Sequence, residues 1–589
     1  MNNQIRLVSS KFLVSFFRMT LSSIYSLLQK KISAARILYR SLSPERVLVF
    51  WLFIGIATIS IFAALLQVNN RYLVTIPAFG GTVHEGIIGT PRFINPVLAI
   101  SEQDEDLVSL IYAGLTKRDT KGAIILDMAS SITESDDKLH YDIVLKSDAR
   151  FHDGKRVTVD DVIYTISLVQ NPIVKSPHRV EWEGVTAEKK SDTELTLSLK
   201  KPYPLFMDVL TLGILPKHIW KNLTEEQLPL SDFNIHAIGS GPYMIKEITS
   251  VSGIPESFTL TSHPYYTQGR PYIDTLVIHS YQNEKYLTQA FKNNDIDRIH
   301  GISPEHALTL GVATSSIHTS LLPRTFTVFF NPNKTDFLSD KKVRGALNMA
   351  INKQAIVDTV LHGYGKVIET PYPFDEDQPA QVYDVEQARA LLSKSKYIKN
   401  ASTTLTITLA TANTDEMKKV ADMIRKDWEA IGVQTQLAVY EVADLNQTVI
   451  KDRDFQALLF GSITESPADL YAFWHSSQRS YPGLNISNYV SKRLDDTLET
   501  IRESEDELDR VQAYHTAKQE FADEVPGIFL FAPSLMYIAK DAVTSPLPQY
   551  SLSASSRFDL ITSWYRYTEK VWPKTEQQKA ITLLENILH

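Results

Sequence analysis

The chain has 589 residues, 60 Lys and Arg against 68 Asp and Glu, a net charge of −8 and no cysteine. That length allows two or three domains with ample core. The missing cysteine excludes disulfides, thiolate metal sites, thiol catalysis and lipid attachment through an N-terminal Cys.

Residues 1–46 hold eight basic residues and one acidic one, which leaves the remainder of the chain at −15. An acidic body argues against nucleic acid or anionic lipid as its ligand. Within the head, residues 5–29 are apolar but interrupted by Lys11 and Arg18. They suit either an amphipathic helix on the inner leaflet or a poorly ordered tail. Residues 47–66 then form a run of twenty without a charge. At ~1.5 Å per residue this helix just spans a ~30 Å hydrocarbon core.

With a basic head before the span and only Arg71 soon after it, the positive-inside rule places the head in the cytoplasm and the body outside. The expected location is therefore the cell membrane, single-pass, with a large extracytoplasmic domain. The run exceeds a signal h-region of roughly 7–15 residues, and Leu65–Gln67 is a poor cleavage exit, so an uncleaved anchor is expected over a cleaved signal. Residues 67–80 read as a tether reaching at most ~45 Å at ~3.3 Å per residue.

Strands and helices mix throughout the body. Leu139–Leu145 reads as a strand leading into Phe151–Asp161, FHDGKRVTVDD. There Asp153-Gly154 signals a tight turn, and Thr158 caps a helix with Asp161 as its capping-box partner. His152 and Asp153 resemble a metal or catalytic pair but are read as shaping this turn. Thr193–Leu199 and Leu405–Leu409 alternate as half-buried strands do. Ser339–Leu361 is a long helical stretch closed by Gly363. Asp415–Ile431 is another, with Thr414 as cap, Gly432 as stop, and Met417, Val420, Ala421, Ile424 and Trp428 on its buried face. This alternation makes the body α/β or α+β.

Catalytic motifs are missing: no His-Glu-x-x-His, no Gly-x-Ser-x-Gly, no Gly-rich loop ending in Lys-Ser/Thr. The stretch from Ile238 to Tyr243, IGSGPY, carries Pro242 and suits a turn entering a strand. The acid pairs Asp160-Asp161 and Asp495-Asp496 lie in helical or capping settings. His475 stands out as a candidate ligand contact. No enzyme, cofactor or metal is expected.

Several phrases taken together are specific: GGTVHEGIIGTPRFINPVLA (80–99), LIYAGLTKRD (110–119), FHDGKRVTVDDVIYTI (151–166), ILPKHIW (214–220), IGSGPYMIKE (238–247), HPYYTQGRPYIDTLVI (263–278), FKNNDIDRIHGISP (291–304), KVRGALNMAINKQAIVDTVLHGYG (342–365) and VPGIFLFAP (525–533). Their order resembles the family 5 extracellular solute-binding proteins of ABC importers, the oligopeptide- and dipeptide-binding group. The resemblance implies a bilobed α/β fold of the periplasmic-binding-protein type II kind, preceded here by one transmembrane helix. Lobe I would comprise residues 81–116, 239–322 and 525–589, with a small domain inserted at 117–238. Lobe II would be residues 323–524, with hinges near Leu322–Arg324 and Val525–Ala532.

The family holds extended peptides largely through their backbone, in wet side-chain pockets. Many members carry a Gly-Trp-x-x-Asp segment whose Asp meets the ligand's α-ammonium. The matching stretch here starts at Gly461 and puts Glu465 at the Asp position, with Asp469 as the neighbouring alternative. Ser462 replaces the Trp, a departure that bears on the amine clamp. Tyr471 and Trp474 are candidate cleft-lining residues, and Ser101 falls where the family's first lobe touches ligand. The function implied is a monomeric, membrane-anchored receptor that delivers peptides to ABC permease subunits, held in the bilayer through residues 47–66. The alternatives are another solute, such as a sugar or a nickel chelate, or an envelope sensor or scaffold.

Overall fold

The computed structural model describes residues 43–573, apart from 120–121, 204, 314–315, 379–382, 401–403, 482, 505, 541 and 549–550. The expected amphipathic segment 5–29 lies outside the described residues. The chain divides into a small unit, holding the described residues up to Ile76 and those from Thr568 on, and a large unit, Pro77–Tyr567.

In the small unit, the apolar run sits in a helix, Pro44–Tyr72, whose 26-residue stretch Pro44–Asn69 is long and apolar enough to cross a membrane and has no buried part. The helix runs past Leu66 because neither Gly nor Pro interrupts residues 67–72. The strand Val74–Ala78 follows and pairs with Tyr567–Val571 near the C-terminus. Trp572 donates its indole N–H to the Asn69 side chain at 2.8 Å and stacks on Tyr72 with ring centroids 5.9 Å apart.

The large unit is built on a twelve-stranded mixed sheet. In one half, Thr82–Ile88 runs parallel to Thr275–Tyr281, and the hairpin Tyr243–Val251 and Ile254–Ser262 extends the edge. In the other, Leu405–Ala412 runs parallel to Val433–Tyr440 and to Ala457–Ile463, which pairs with Arg324–Phe330. The thirteen-residue strand Gly527–Ala539 serves both halves. Its start pairs with Arg324–Phe330, its end with Arg298–His300 and Ile317–Leu321. Each half has its own cores, one centred on Val83, Ile111, Phe151 and Phe258, another on Val328, Leu347, Ile424 and Trp428. A separate four-stranded antiparallel sheet lies within residues 129–198.

Local chemistry explains the elements. Asp415–Ala430 is helical, with the Thr414 hydroxyl accepting from the Met417 N–H at 3.3 Å and the expected face buried. Ser339–Leu361 resolves into two helices, Lys341–Ala350 and Lys353–Val360. Asn352 divides them, because its side chain accepts from the Ala355 N–H at 2.9 Å and starts a new helix. Gly154 turns with φ +84°, and Asp161 accepts from the Thr158 N–H at 2.9 Å. The His152 ring bridges the Gly239 N–H and the Gly241 carbonyl at 3.2 Å each, and Asp153 accepts from the Lys155 N–H at 3.1 Å.

One buried ion network ties the first half together. Arg557, fully buried, bonds Glu85 at 2.7 Å and Asp106 at 2.6 and 2.8 Å. Tyr537 donates to Glu85 at 2.6 Å, and His300 meets Asp106 at 3.2 Å. Burial alone would raise Asp106; Arg557 and His300 overcome it and hold the carboxyl well below its ordinary range. Removing one partner strands the others in a dry interior. Arg557→Ala is expected to cost about 3–5 kcal/mol, read as a fall in urea midpoint; an unchanged midpoint contradicts this role.

Candidate functional site

A cavity of about 410 Å³ opens in the large unit. Its walls come from the loop and helix after the first central strand (Ala99, Glu105, Tyr112), from Lys117, Arg118 and Asp127, and from Asp559 near the C-terminus. Glu465 is contributed by the other half of the sheet.

Close backbone packing builds the wall at Tyr112. A Cβ on Gly239 would lie 2.0 Å from the Ile111 carbonyl oxygen, and one on Gly241 would lie 2.6 Å from the Ile111 carbonyl carbon. The Gly-Ser-Gly-Pro segment is thus glycine-rich so that it can pack against the end of the helix Glu102–Ile111. Tyr112 is 4 % exposed, and among the described residues its buried hydroxyl has no hydrogen-bond partner.

The loop at Glu465 is held by its neighbour. Asp469 accepts from the N–H groups of Glu465 and Ser466, both at 2.8 Å. Burial raises the Asp469 carboxyl. Among the described residues no donor reaches the Glu465 carboxylate. Its side chain is open to the cleft, yet desolvation, then Asp469, push it up to about 7 against the pull of Arg118. Asp559 is also pushed up to about 7 by burial, despite Lys117 and Arg118.

Of the residues expected from sequence, Glu465 lines the cavity. Ser101 caps the helix Glu102–Ile111 and donates to Asp104 at 2.6 Å, while its neighbour Ala99 faces the cavity. Tyr471 stacks on His475 at 4.2 Å, beneath the Arg502 guanidinium at 4.4 Å. Trp474, 2 % exposed, packs among Phe329, Phe521 and Phe529. His475 bonds Ser477 at 2.7 Å and faces Glu499 at 3.4 Å. Ser462 bonds Thr325 at 2.9 Å.

Sequence reasoning missed Tyr112, Lys117, Arg118, Asp127 and Asp559. The phrase LIYAGLTKRD contained three of them, but its periodicity speaks for packing. Asp559 lies beyond the last recognisable phrase, and no local pattern marks it.

Residues 123–481 match the bacterial extracellular solute-binding proteins, family 5, middle region. The chain belongs to that family. It is therefore a substrate-binding protein of the ABC-transporter class, not an enzyme. Among its family 5 relatives, the oligopeptide-binding protein AppA of Bacillus subtilis is 28 % identical over 479 residues, 78 % of this chain and 87 % of that one. The nickel-binding periplasmic protein of Escherichia coli is 24 % identical over 465 residues, 73 % and 85 % of the two chains. The solved structure of Bacillus subtilis AppA with a nonapeptide superposes with a TM-score of 0.62 at 27 % identity, covering 83 % of this chain and 99 % of that one. The fold is the mixed α/β periplasmic-binding-protein fold of the family, with one long apolar helix at its N-terminal end.

Gly241→Ala tests the tight wall of this family 5 cavity. The added methyl must displace the backbone at Ile111 and Tyr112, at an expected cost of about 1–3 kcal/mol in thermal or urea unfolding. A loss below measurement would show that the wall yields freely.

Proposed function

We propose that the protein is a membrane-anchored extracytoplasmic receptor that captures peptides in this cavity and delivers them to ABC permease subunits. The observation that carries the reading is Glu465, a carboxylate at the cavity without a donor and held near pH 7 by desolvation and a neighbouring acid. Among the described residues no cation bonds this carboxylate, although Lys117 and Arg118 also line the cavity. The α-ammonium of a peptide supplies one through a charge-assisted hydrogen bond. The AppA relative, an oligopeptide-binding protein whose structure holds a nonapeptide, supports the same ligand class.

An ammonium binds the ionised form of Glu465, so binding releases a proton when the free carboxyl is protonated. Affinity should rise with pH up to about 7, changing by up to about tenfold per unit below that point, and fall again above about 8, where the peptide's α-ammonium loses its proton. Calorimetric titration of the detergent-solubilised full chain with free-amine and N-acetylated tripeptides reads this directly. Glu465→Gln should flatten the profile and cost about 1.5–3 kcal/mol with free-amine peptides. Equal affinity for acetylated and free peptides would sink the proposal. So would native mass spectrometry showing a nickel chelate as the copurified ligand.

The anchor is the second half of the reading. Asn69 and Tyr72, at the end of the apolar helix, hold Trp572 from the C-terminal segment. Those contacts suit a helix retained in the mature protein, with an aromatic pair at the level of the lipid headgroups. Intact mass of the membrane-bound protein should include residues 47–66, and alkaline carbonate should not release it. A mature protein beginning after residue 66 would remove the anchor while leaving the binding fold.

A further inference from the structure

We propose that this cavity selects cationic peptides: Asp559 takes the ammonium or guanidinium of a lysine or arginine side chain near the ligand's N-terminus, while the α-ammonium goes to Glu465. The inference rests on the peptide reading above and adds a substrate class to it.

Charge accounting inside the cavity points this way. Four carboxylates line it, those of Glu105, Asp127, Glu465 and Asp559, against the cations Lys117 and Arg118 and the His178 ring. Asp127 is saturated by Tyr266 at 2.8 Å, Thr267, and Gln268 at 3.3 Å. The cations are directed elsewhere. Arg118 is engaged by Asp208 and by the Gly122 carbonyl at 2.9 Å. His178 faces Glu181 at 3.2 Å. Lys117 donates to the main-chain oxygen of Asp559 at 3.2 Å, not to its carboxylate. Among the described residues no donor lies within hydrogen-bond distance of the Asp559 carboxylate.

Lys117 is the obvious rival for Asp559. Its attraction does not offset burial, since the carboxyl still sits near 7 with Lys117 and Arg118 both pulling it down. A third acid, Glu105, is likewise raised, by burial and by Asp106 and Glu102, and its one side-chain bond, to Ser555, is 3.5 Å long. An independent observation is the Tyr112 hydroxyl, buried in the wall and, among the described residues, without a partner. A buried polar group left so is costly unless a ligand satisfies it.

A metal ion is a poorer fit than an organic cation. Among the described residues no three His, Asp or Glu side chains converge as a metal requires. An α-ammonium and a basic side chain on one ligand supply two separate cations instead.

The test is calorimetry on the full chain in nanodiscs with four peptides: Lys-Ala-Ala, Ala-Lys-Ala and the two isosteres with norleucine in place of lysine. At least one lysine peptide should bind about tenfold or more tighter than its norleucine twin. Asp559→Asn should cut that advantage to about threefold or less, and Asp559→Glu should restore most of it. Equal affinity of the lysine and norleucine peptides overturns the inference and leaves the peptide reading standing. A lysine advantage that survives Asp559→Asn overturns the role of Asp559. No binding by any of the four overturns the peptide reading itself. Should Asp559→Asn fail to fold, the wild-type comparison still decides the substrate class.

Discussion

The guanidinium of Arg557 constrains the first half of the molecule more than any other group. It reaches across 472 positions to Glu85 and 451 to Asp106. Three charges of this kind cannot be buried singly, because each would lose several kcal/mol of hydration. They are tolerated only together, with Tyr537 and His300 closing the remaining lone pairs. The first central strand and the helix Glu102–Ile111 are therefore complete only when the C-terminal segment arrives. Such long-range closure slows folding. It also places Asp559, two residues on, at the cavity.

This network and the cavity show opposite treatments of the same side chain. Asp106 has several donors and is held strongly ionised despite burial. Asp127 has three donors and sits in the cavity wall as structure. Glu465 and Asp559 have desolvation without donors, and both are pushed up to about 7. The carboxylates saturated by the protein hold the fold. Those left short are available to a ligand, and an acid poised near neutrality in a cleft is a functional candidate on physical grounds.

Much of the fold was legible because it rests on local rules. The cap at Thr414, the face ending at Trp428, the turn at Gly154 and the box at Asp161 each follow from residues a few positions apart. Asn352 was the local signal overlooked, since a capping side chain divides a stretch that reads as one helix. The site was less legible for a physical reason. Glu465 is marked by a local segment, but its carboxyl is set first by desolvation in the folded cavity and then by Asp469, with smaller effects from Arg118, Glu181 and Asp208, all distant in sequence. Tyr112 stands out in the cavity wall only because, among the described residues, nothing meets its hydroxyl, and no periodicity reports that. Asp559 depends on the Arg557 network, a contact between chain ends that spacing cannot show.

The strand Gly527–Ala539 joins the two halves of the sheet. It pairs with one half of the sheet through Phe531 and with the other from Ser534, and Leu322 donates to Pro533 at 3.1 Å between them. Pro533 offers the sheet no N–H, and the short strand Gly365–Val367 pairs with Phe531–Pro533 where the halves meet. Under the peptide reading, the unliganded Glu465 carboxyl is desolvated and pushed up to about 7, and an ammonium favours its ionised form. Closing without a cation would desolvate that charge or force a proton onto it, and both oppose closure. Closing around a cation replaces the lost water with a charge-assisted bond. An acid without an internal partner thus makes closure depend on the ligand, which a receptor that must present only loaded molecules to its transporter requires.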